Sequence, residues 1–159
     1  ARAKSGGVAV RECDGWSDIF SKVLTERIEP NLGTNRLECL TGYPIHESAL
    51  ARPVPGSPKI AERFELYCCG VELANGFGEL TDPARQRANL ERQMQSRAAI
   101  YGERYPIDGE FIAALAHMPA TSGCAMGFDR LVMLATGATR LDQVVWTPMP
   151  DTVGAAPHE

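Results

Sequence analysis

The sequence predicts an α+β fold, a mainly antiparallel sheet with flanking helices, and three observations carry that expectation. Apolar residues recur at three- and four-residue intervals from Trp16 to Ile28 and again in the segment after Thr81, the period of one helix face. Glu62 to Leu80 reads instead as two strands about a turn at Cys69-Gly70, which makes them a β-hairpin. Helical segments and hairpin strands are interspersed, with no internal repeat or low-complexity tract, as in an α+β domain.

Composition sets the frame. At 159 residues, 44% hydrophobic and 23% charged, the chain is ordinary globular material for about one domain. Sixteen Lys and Arg against twenty Asp and Glu give a formal net charge of -4, which argues against a general electrostatic grip on nucleic acid. The five cysteines, Cys13, Cys39, Cys68, Cys69 and Cys124, are odd in number and contain no C-x-x-C pair, so a reducing cytoplasm is the expected setting. No apolar run approaches the roughly 18 residues of a membrane span, and Ala1 to Lys4 lacks the apolar core of a signal peptide. The chain starts without Met, as a fragment of a longer protein would.

The first helix carries Trp16, Ile19, Phe20, Val23, Leu24 and Ile28 on one face, and Pro30 and Gly33 stop it. Leu37 to Leu40 reads as a short strand. Between Pro44 and Pro58, four prolines and a glycine predict a surface loop or a lid over a site. Thr81 and Asp82 cap a helix with Pro83 in its first turn, whose expected buried face is Leu90, Met94, Ala98 and Tyr101. A short helix follows from about Asp108 to His117. Ser122 to Met126 is small and apolar enough for a buried strand, and Phe128 to Ala135 continues as a helix that Gly137 ends. A last amphipathic turn, Leu141 to Trp146, precedes a Pro-rich tail expected to be loose.

Chemistry concentrates in the hairpin. With a two-residue turn at Cys69-Gly70, Cys68 pairs with Val71, Tyr67 with Glu72 and Glu65 with Ala74. Cross-strand partners share a face, as do residues two apart, so Glu65 and Glu72 fall diagonally on one face at roughly 7–8 Å or less. Two like charges this close repel unless a cation lies between them. Mg²⁺, commonly held by one or two carboxylates and substrate phosphates, answers that need; the alternative is that both carboxylates simply face water. Glycines at 76 and 78 mark a bulge, a close approach of ligand to backbone, or only a loosened sheet edge.

In Gly123 to Arg130, small residues at alternate positions leave one strand face nearly bare, so a flat ligand can approach the backbone. Arg130 then opens a helix, where its planar fork suits phosphate oxygens and a purine ring. The spacing is not that of a dinucleotide fingerprint. Small residues beside a helix also serve close packing, and a first-turn arginine is often only solvated. Together, the hairpin and this strand point to a nucleotide, a metal and an amine-bearing substrate, the requirements of an ATP-dependent amino-acid-activating enzyme.

Gly123-x-Ala125-x-Gly127-x-Asp129-Arg130 resembles motif 3 of the class II aminoacyl-tRNA synthetases, at about 122–135. Arg63-Phe64-Glu65 followed by Glu72 to Asp82 resembles the lysine-specific segment of lysyl-tRNA synthetases. The similarity runs from about Trp16 to Val145, with weaker matches in the first helix, at Tyr43-Pro44 and from Ser48 to Ala51. Two details are similar to the elongation factor P lysine ligases. Glu72-Leu73-Ala74-Asn75 stands where the synthetases usually have Glu-Ile-Gly-Asn, and Ala125 where they generally have glycine.

The resemblance implies that residues 1–159 are the C-terminal part of a class II aminoacyl-tRNA-synthetase-type catalytic domain. Motifs 1 and 2, with the arginine that grips the α-phosphate, would lie before Ala1, the full-length protein would be a homodimer, and the isolated chain is not expected to exchange ATP with pyrophosphate. It implies that Glu65 and Glu72 hold the Mg²⁺ bridging the ATP phosphates. Arg130 is the implied catalytic residue, on the γ-phosphate beside the adenine, with Gly127 in the same ATP site. Asn75, Glu79, Gly123 and Ala125 would receive lysine or β-lysine, Glu79 pairing with a side-chain ammonium. The implied reaction makes an aminoacyl-adenylate and transfers it to a lysine of elongation factor P, tRNA being the less expected acceptor. A lysyl-tRNA synthetase fragment and a non-catalytic binding module are the alternatives. These roles need Glu72 and Glu79 on one side of the sheet, yet their odd separation puts them on opposite faces of a regular strand. One extra residue, expected as a bulge at Asn75-Gly76, restores the parity.

Overall fold

A computed structural model describes residues 6–147 of the chain; the expected loose tail beyond them lies outside the described residues. The first helix, α1 (Trp16–Val23), continues as a wider π turn over Leu24–Ile28 and a 3-10 turn over Glu29–Asn31. The expected single α-helix to Ile28 thus changes its winding. Pro30 has no N–H to give back to the preceding turn and its ring crowds that turn's carbonyl. Of the predicted apolar face, Phe20 and Leu24 pack on the core formed by Tyr43, Ala51 and Ala61, while Trp16 and Ile28 stay exposed.

Strand β1 (Glu38–Thr41) opens the main sheet. The segment expected to be a loop or lid is regular: a 3-10 turn at Ile45–Glu47 leads to a small hairpin of β2 (Pro53–Val54) and β3 (Ser57–Ala61). In a two-stranded hairpin both strands are edges, so Pro53 and Pro58 sit where a missing N–H is tolerated. Pro55-Gly56 makes the turn, with φ +76° at the glycine, a position that favours Gly. This hairpin is tied down by Ala61 N–H to Tyr43 O (2.8 Å), Arg52 N–H to Gly78 O (2.7 Å) and Glu62 N–H to Arg52 O (2.9 Å). It is part of the core, with Ala51 and Ala61 buried.

The central hairpin forms as expected from β4 (Arg63–Cys68) and β5 (Val71–Gly78). Cys69 and Gly70 both take positive φ, 52° and 73°, the two left-handed positions of a tight hairpin turn. After β5, Asp82 caps α2 (Pro83–Tyr101), accepting from the N–H groups of Ala84 and Arg85. Its buried stripe differs from expectation: Gln86 is the buried residue, donating to Ala49 O, Leu90, Met94 and Ala98 are half-buried, and Tyr101 is exposed. The helix is too polar to bury a whole face, and only its first turns reach the Ala49–Leu50 segment.

Asp108 likewise caps α3 (Gly109–Leu115), which buries Ile112 and Leu115. Then β6 (Ser122–Met126) and α4 (Phe128–Thr136) follow, with Gly137 at φ 72° closing the helix. The sheet is antiparallel throughout, in the order β1-β4-β5-β6. Strand β6 is therefore an edge, and most of its residues are exposed instead of buried as expected. One neighbouring strand and small side chains leave it little to bury. Leu141–Gln143 forms a 3-10 turn at the place expected for the last turn. No helix among the described residues is long and apolar enough to cross a membrane.

Candidate active site

Register decides which side chains meet. Cys68 faces Val71 and Tyr67 faces Glu72, as predicted, but the next pair is Leu66 with Ala74, so Leu73 is an extra residue in β5. The bulge therefore lies at Leu73, earlier than the expected Asn75-Gly76, and Glu65 pairs with Asn75 instead of Ala74. Its consequence is the one parity required: Glu72 precedes the bulge, and Asn75, Phe77 and Glu79 follow it on the same face. Glu65 and Tyr67 share that face from β4, and so do Gly123 and Ala125 from β6, opposite Phe77 and Asn75.

The two β5 glycines have a different cause from ligand approach. A Cβ on Gly76 would enter the Phe64 ring, and one on Gly78 would strike the Glu62 carboxylate and Arg52. Both clashes are on the opposite face, where Arg52 and Glu62 form an ion pair at 2.5 Å.

Glu65 is buried and fully engaged. Its Oε2 accepts from the Tyr43 hydroxyl at 2.5 Å and the Tyr67 hydroxyl at 2.7 Å, and its Oε1 from Arg63 Nη2 at 2.5 Å and Asn75 Nδ2 at 3.4 Å. Four donors fill the roughly four lone-pair positions of a carboxylate. Arg63 is held in turn by Glu47 O at 2.9 Å and lies over the Tyr43 ring, 4.2 Å from its centroid. Burial first, and then hydrogen bonding to the Glu65 anion, pushes the phenols of Tyr43 and Tyr67 far above their ordinary range. Both remain neutral donors.

Glu72 has its own arginine. Arg130, in the first turn of α4, reaches back to the Glu72 backbone oxygen at 2.8 Å and to its Oε2 at 3.2 Å. The Arg130 stem passes over Gly127, where a Cβ would stand 3.2 Å from Arg130 Cδ. Guanidinium groups, Arg63 on Glu65 and Arg130 on Glu72, thus already answer the charge repulsion from which a shared metal was expected. The Glu72–Arg130 pair is partly solvated, with side-chain exposures of 32% and 42%, and such pairs contribute only about 0–1 kcal/mol. It can be exchanged for phosphate or metal at little cost.

As a place for Mg²⁺, the two carboxylates differ. Glu72 fits: it is half-exposed, and its Oε1 has no hydrogen-bond partner among the described residues. Glu65 fits only by giving up one of its four donors. Among the described residues, no group of three or more His, Cys, Asp or Glu side chains is arranged to hold a metal.

Glu79 stands apart from both arginines. Its carboxylate is half-buried, makes no hydrogen bond or ion pair among the described residues, and lies so close to Gly123 that a Cβ there would overlap its Oε1. Ala125, next on that face, is exposed and not packed under a helix. A bare strip of β6 therefore runs beside an unneutralised carboxylate and the Asn75 amide.

Four residues around this face were given no role from the sequence. Arg63 and Tyr67 were readable, since each is two positions from Glu65 on one strand. Tyr43 is distant in sequence and carried no such signal. Neither did Glu29, whose carboxyl is raised first by burial and then by the charge of Glu65.

A match to the family described as tRNA synthetases class II (D, K and N) spans residues 25–150. The chain belongs to this family. Among its relatives, the elongation factor P--(R)-beta-lysine ligase of Edwardsiella ictaluri is 46% identical over 119 residues, 74% of this chain and 37% of that protein. The corresponding ligase of Proteus mirabilis is 43% identical over 132 residues, 82% of this chain and 41% of the relative. The lysine--tRNA ligase of Carboxydothermus hydrogenoformans is 37% identical over 150 residues, 94% of this chain and 30% of that enzyme. This class II synthetase chain therefore spans well under half the length of the curated relatives it matches. The α+β sheet and its helices agree with the family, and relatives of both kinds are named for lysine-type ligation.

Proposed function

We propose that this chain is the C-terminal part of the catalytic domain of an ATP-dependent ligase that activates lysine or β-lysine, with motif 3 at about 122–135. The observation that carries the reading is Glu79: a half-buried carboxylate without a partner among the described residues, facing the bare strip of Gly123 and Ala125. A carboxylate so placed favours an ammonium, and the strip leaves room for an aliphatic chain. Asn75, between Glu65 and Ala125, offers a neutral polar group to the same substrate.

In this proposal the amino-acid carboxylate attacks the α-phosphate of ATP, giving an aminoacyl-adenylate and pyrophosphate. The amine of the acceptor then takes the aminoacyl group and releases AMP. Arg130 leaves Glu72 for a phosphate oxygen, with Gly127 allowing its stem to lie close to the strand. Glu72, with Glu65 beside it, would hold Mg²⁺, which neutralises phosphate charge when bound. Catalysis is then positioning and charge neutralisation, and no protein nucleophile is needed.

The acceptor we propose is a lysine of elongation factor P, in keeping with Glu72-Leu73-Ala74-Asn75 and Ala125 and with relatives named for that reaction. The second reading, tRNA aminoacylation, is supported by the lysine--tRNA ligase that aligns with 94% of this chain. The full-length parent enzyme, a proposed cytoplasmic homodimer, distinguishes them when given ATP, Mg²⁺, labelled (R)-β-lysine or lysine, elongation factor P and lysine-accepting tRNA in competition. Label on elongation factor P is the expected result, and label confined to tRNA overturns the acceptor. Absence of amino-acid-dependent pyrophosphate exchange overturns the activity itself.

A further inference from the structure

The tip of the β4–β5 hairpin carries two adjacent thiols that the lysine-activation reading leaves unused. Cys68 Sγ lies 3.8 Å from Cys69 Sγ, with Cys68 half-exposed and Cys69 exposed. Both sulfurs emerge on the same side of the turn because Cys69 takes φ +52°, a left-handed conformation uncommon outside glycine. The turn is held by Cys69 N–H to Gly33 O at 2.6 Å and Gly70 N–H to Leu32 O at 2.9 Å. Gly33 is packed so tightly on the Cys68 backbone that a Cβ there would overlap it. The hydrogen bond to Cys69 raises the Cys68 thiol above its ordinary value.

We infer that Cys68 and Cys69 form a preorganised dithiol site for small thiophilic centres that accept two sulfurs, the class represented by monosubstituted trivalent arsenicals. The spacing is close to what such a centre needs: in a pyramidal trivalent centre with bonds of about 2.3 Å and an angle near about 95–100°, two sulfurs lie about 3.4–3.5 Å apart, so the observed 3.8 Å closes by a small side-chain rotation. The ligand number fits as well. No third His, Cys, Asp or Glu joins the pair to make a metal cluster among the described residues, so an ion that needs four protein ligands is disfavoured, whereas an arsenical with one organic substituent needs only two. A disulfide between the pair is disfavoured, because neighbouring Cα atoms are about 3.8 Å apart and unstrained disulfides need about 4.4 Å or more.

The reaction balances without an oxidant. An organoarsenic(III) oxide forms two As–S bonds, both S–H bonds break, and the two protons leave with the oxide oxygen as water. Arsenic remains trivalent and both sulfurs keep their oxidation state.

The test uses the 159-residue chain and phenylarsine oxide, and it does not depend on ligase activity. A ligand that binds the folded chain more tightly than the unfolded one raises the unfolding midpoint, so a rise separates a preorganised site from the reactivity of any Cys-Cys sequence. The expected result is one adduct per chain by intact mass, a raised midpoint, reversal by dithiothreitol and no reversal by a comparable excess of glutathione. Cys68→Ser and Cys69→Gly should each lose the midpoint rise and the glutathione-resistant adduct; the glycine suits the positive φ and preserves the turn. The triple variant Cys13→Ser/Cys39→Ser/Cys124→Ser should behave as wild type. An unchanged or lowered midpoint in the wild-type chain overturns the inference, as does a glutathione-resistant adduct that survives in either tip variant.

Discussion

Replacing Gly123 with alanine tests the proposed amino-acid pocket at its most confined contact. A Cβ at 123 would stand 3.5 Å from Glu79 Cδ, an ordinary contact, but deep inside the contact distance of Oε1. The carboxylate must therefore rotate while its stem stays in place. That change is cheap for folding, because the displaced atom ends a flexible side chain and β6 is an edge strand. Rotation misdirects the acceptor oxygen from an ammonium seated beside β6, and a hydrogen bond to a charged group contributes about 1.5–3 kcal/mol. With tenfold per about 1.4 kcal/mol, Gly123→Ala should raise KM for lysine or β-lysine by roughly 10–150-fold in the parent enzyme. KM for ATP should stay near wild type, since Arg130 and Glu72 are untouched. Pyrophosphate exchange at varied amino acid, with the unfolding midpoint as control, measures this. Glu79→Gln should be at least as damaging, and adding Gly123→Ala to it should cost little more, because both act on one contact. An amino-acid KM within about twofold of wild type in a stably folded Gly123→Ala enzyme would contradict the predicted contact.

Three further outcomes are expected. Ala125→Gly should shift the parent enzyme toward α-lysine by about 1–3 kcal/mol, or roughly 10–200-fold, through shape alone; an unchanged preference ratio in competitive adenylation would place the discrimination elsewhere. Tyr67→Phe removes one of the two hydroxyls on buried Glu65 and should destabilise the chain by about 1.5–3 kcal/mol in urea unfolding, whereas an unaltered midpoint would mean the other donors compensate. Glu29 has its carboxyl raised above 4.5 by burial and by Glu65, so the native state holds that proton more tightly than the unfolded chain. The stabilising contribution is full below the unfolded value and is lost as pH rises through the folded one. Glu29→Gln should flatten that decline, and parallel stability-pH curves for the two proteins would exclude the linkage.

The hairpin shows how far local chemistry reaches. Its turn was legible because Cys69-Gly70 interrupts two strand-like runs, and the common face of Glu65 and Glu72 follows from a period of two because the bulge at Leu73 lies beyond the Tyr67–Glu72 pair. The same parity argument demanded one extra residue between Glu72 and Glu79. It could not say which residue would be extra. Leu73 takes that position once Ala74 pairs across to Leu66 and onward to Met126 of β6, and β6 is separated from the hairpin by more than forty residues.

The sequence by itself determined the central hairpin and its turn, the helices that follow Asp82, Asp108 and Gly127, the cap at Asp82, and the residues that resemble a lysine-activating site, because these depend on neighbours within a few positions. Only the tertiary structure decided that the segment after Pro44 forms a 3-10 turn and then a hairpin of Pro53–Val54 with Ser57–Ala61 instead of a lid: proline forbids a central strand, but whether an edge is available depends on distant partners. Only it assigned Arg63 to Glu65 and Arg130 to Glu72, and left Glu79 without a cation among the described residues. Charge pairing is set by distance through space, and the residues that meet on this face are brought together by strand order, which the chain specifies only when the whole sheet has formed.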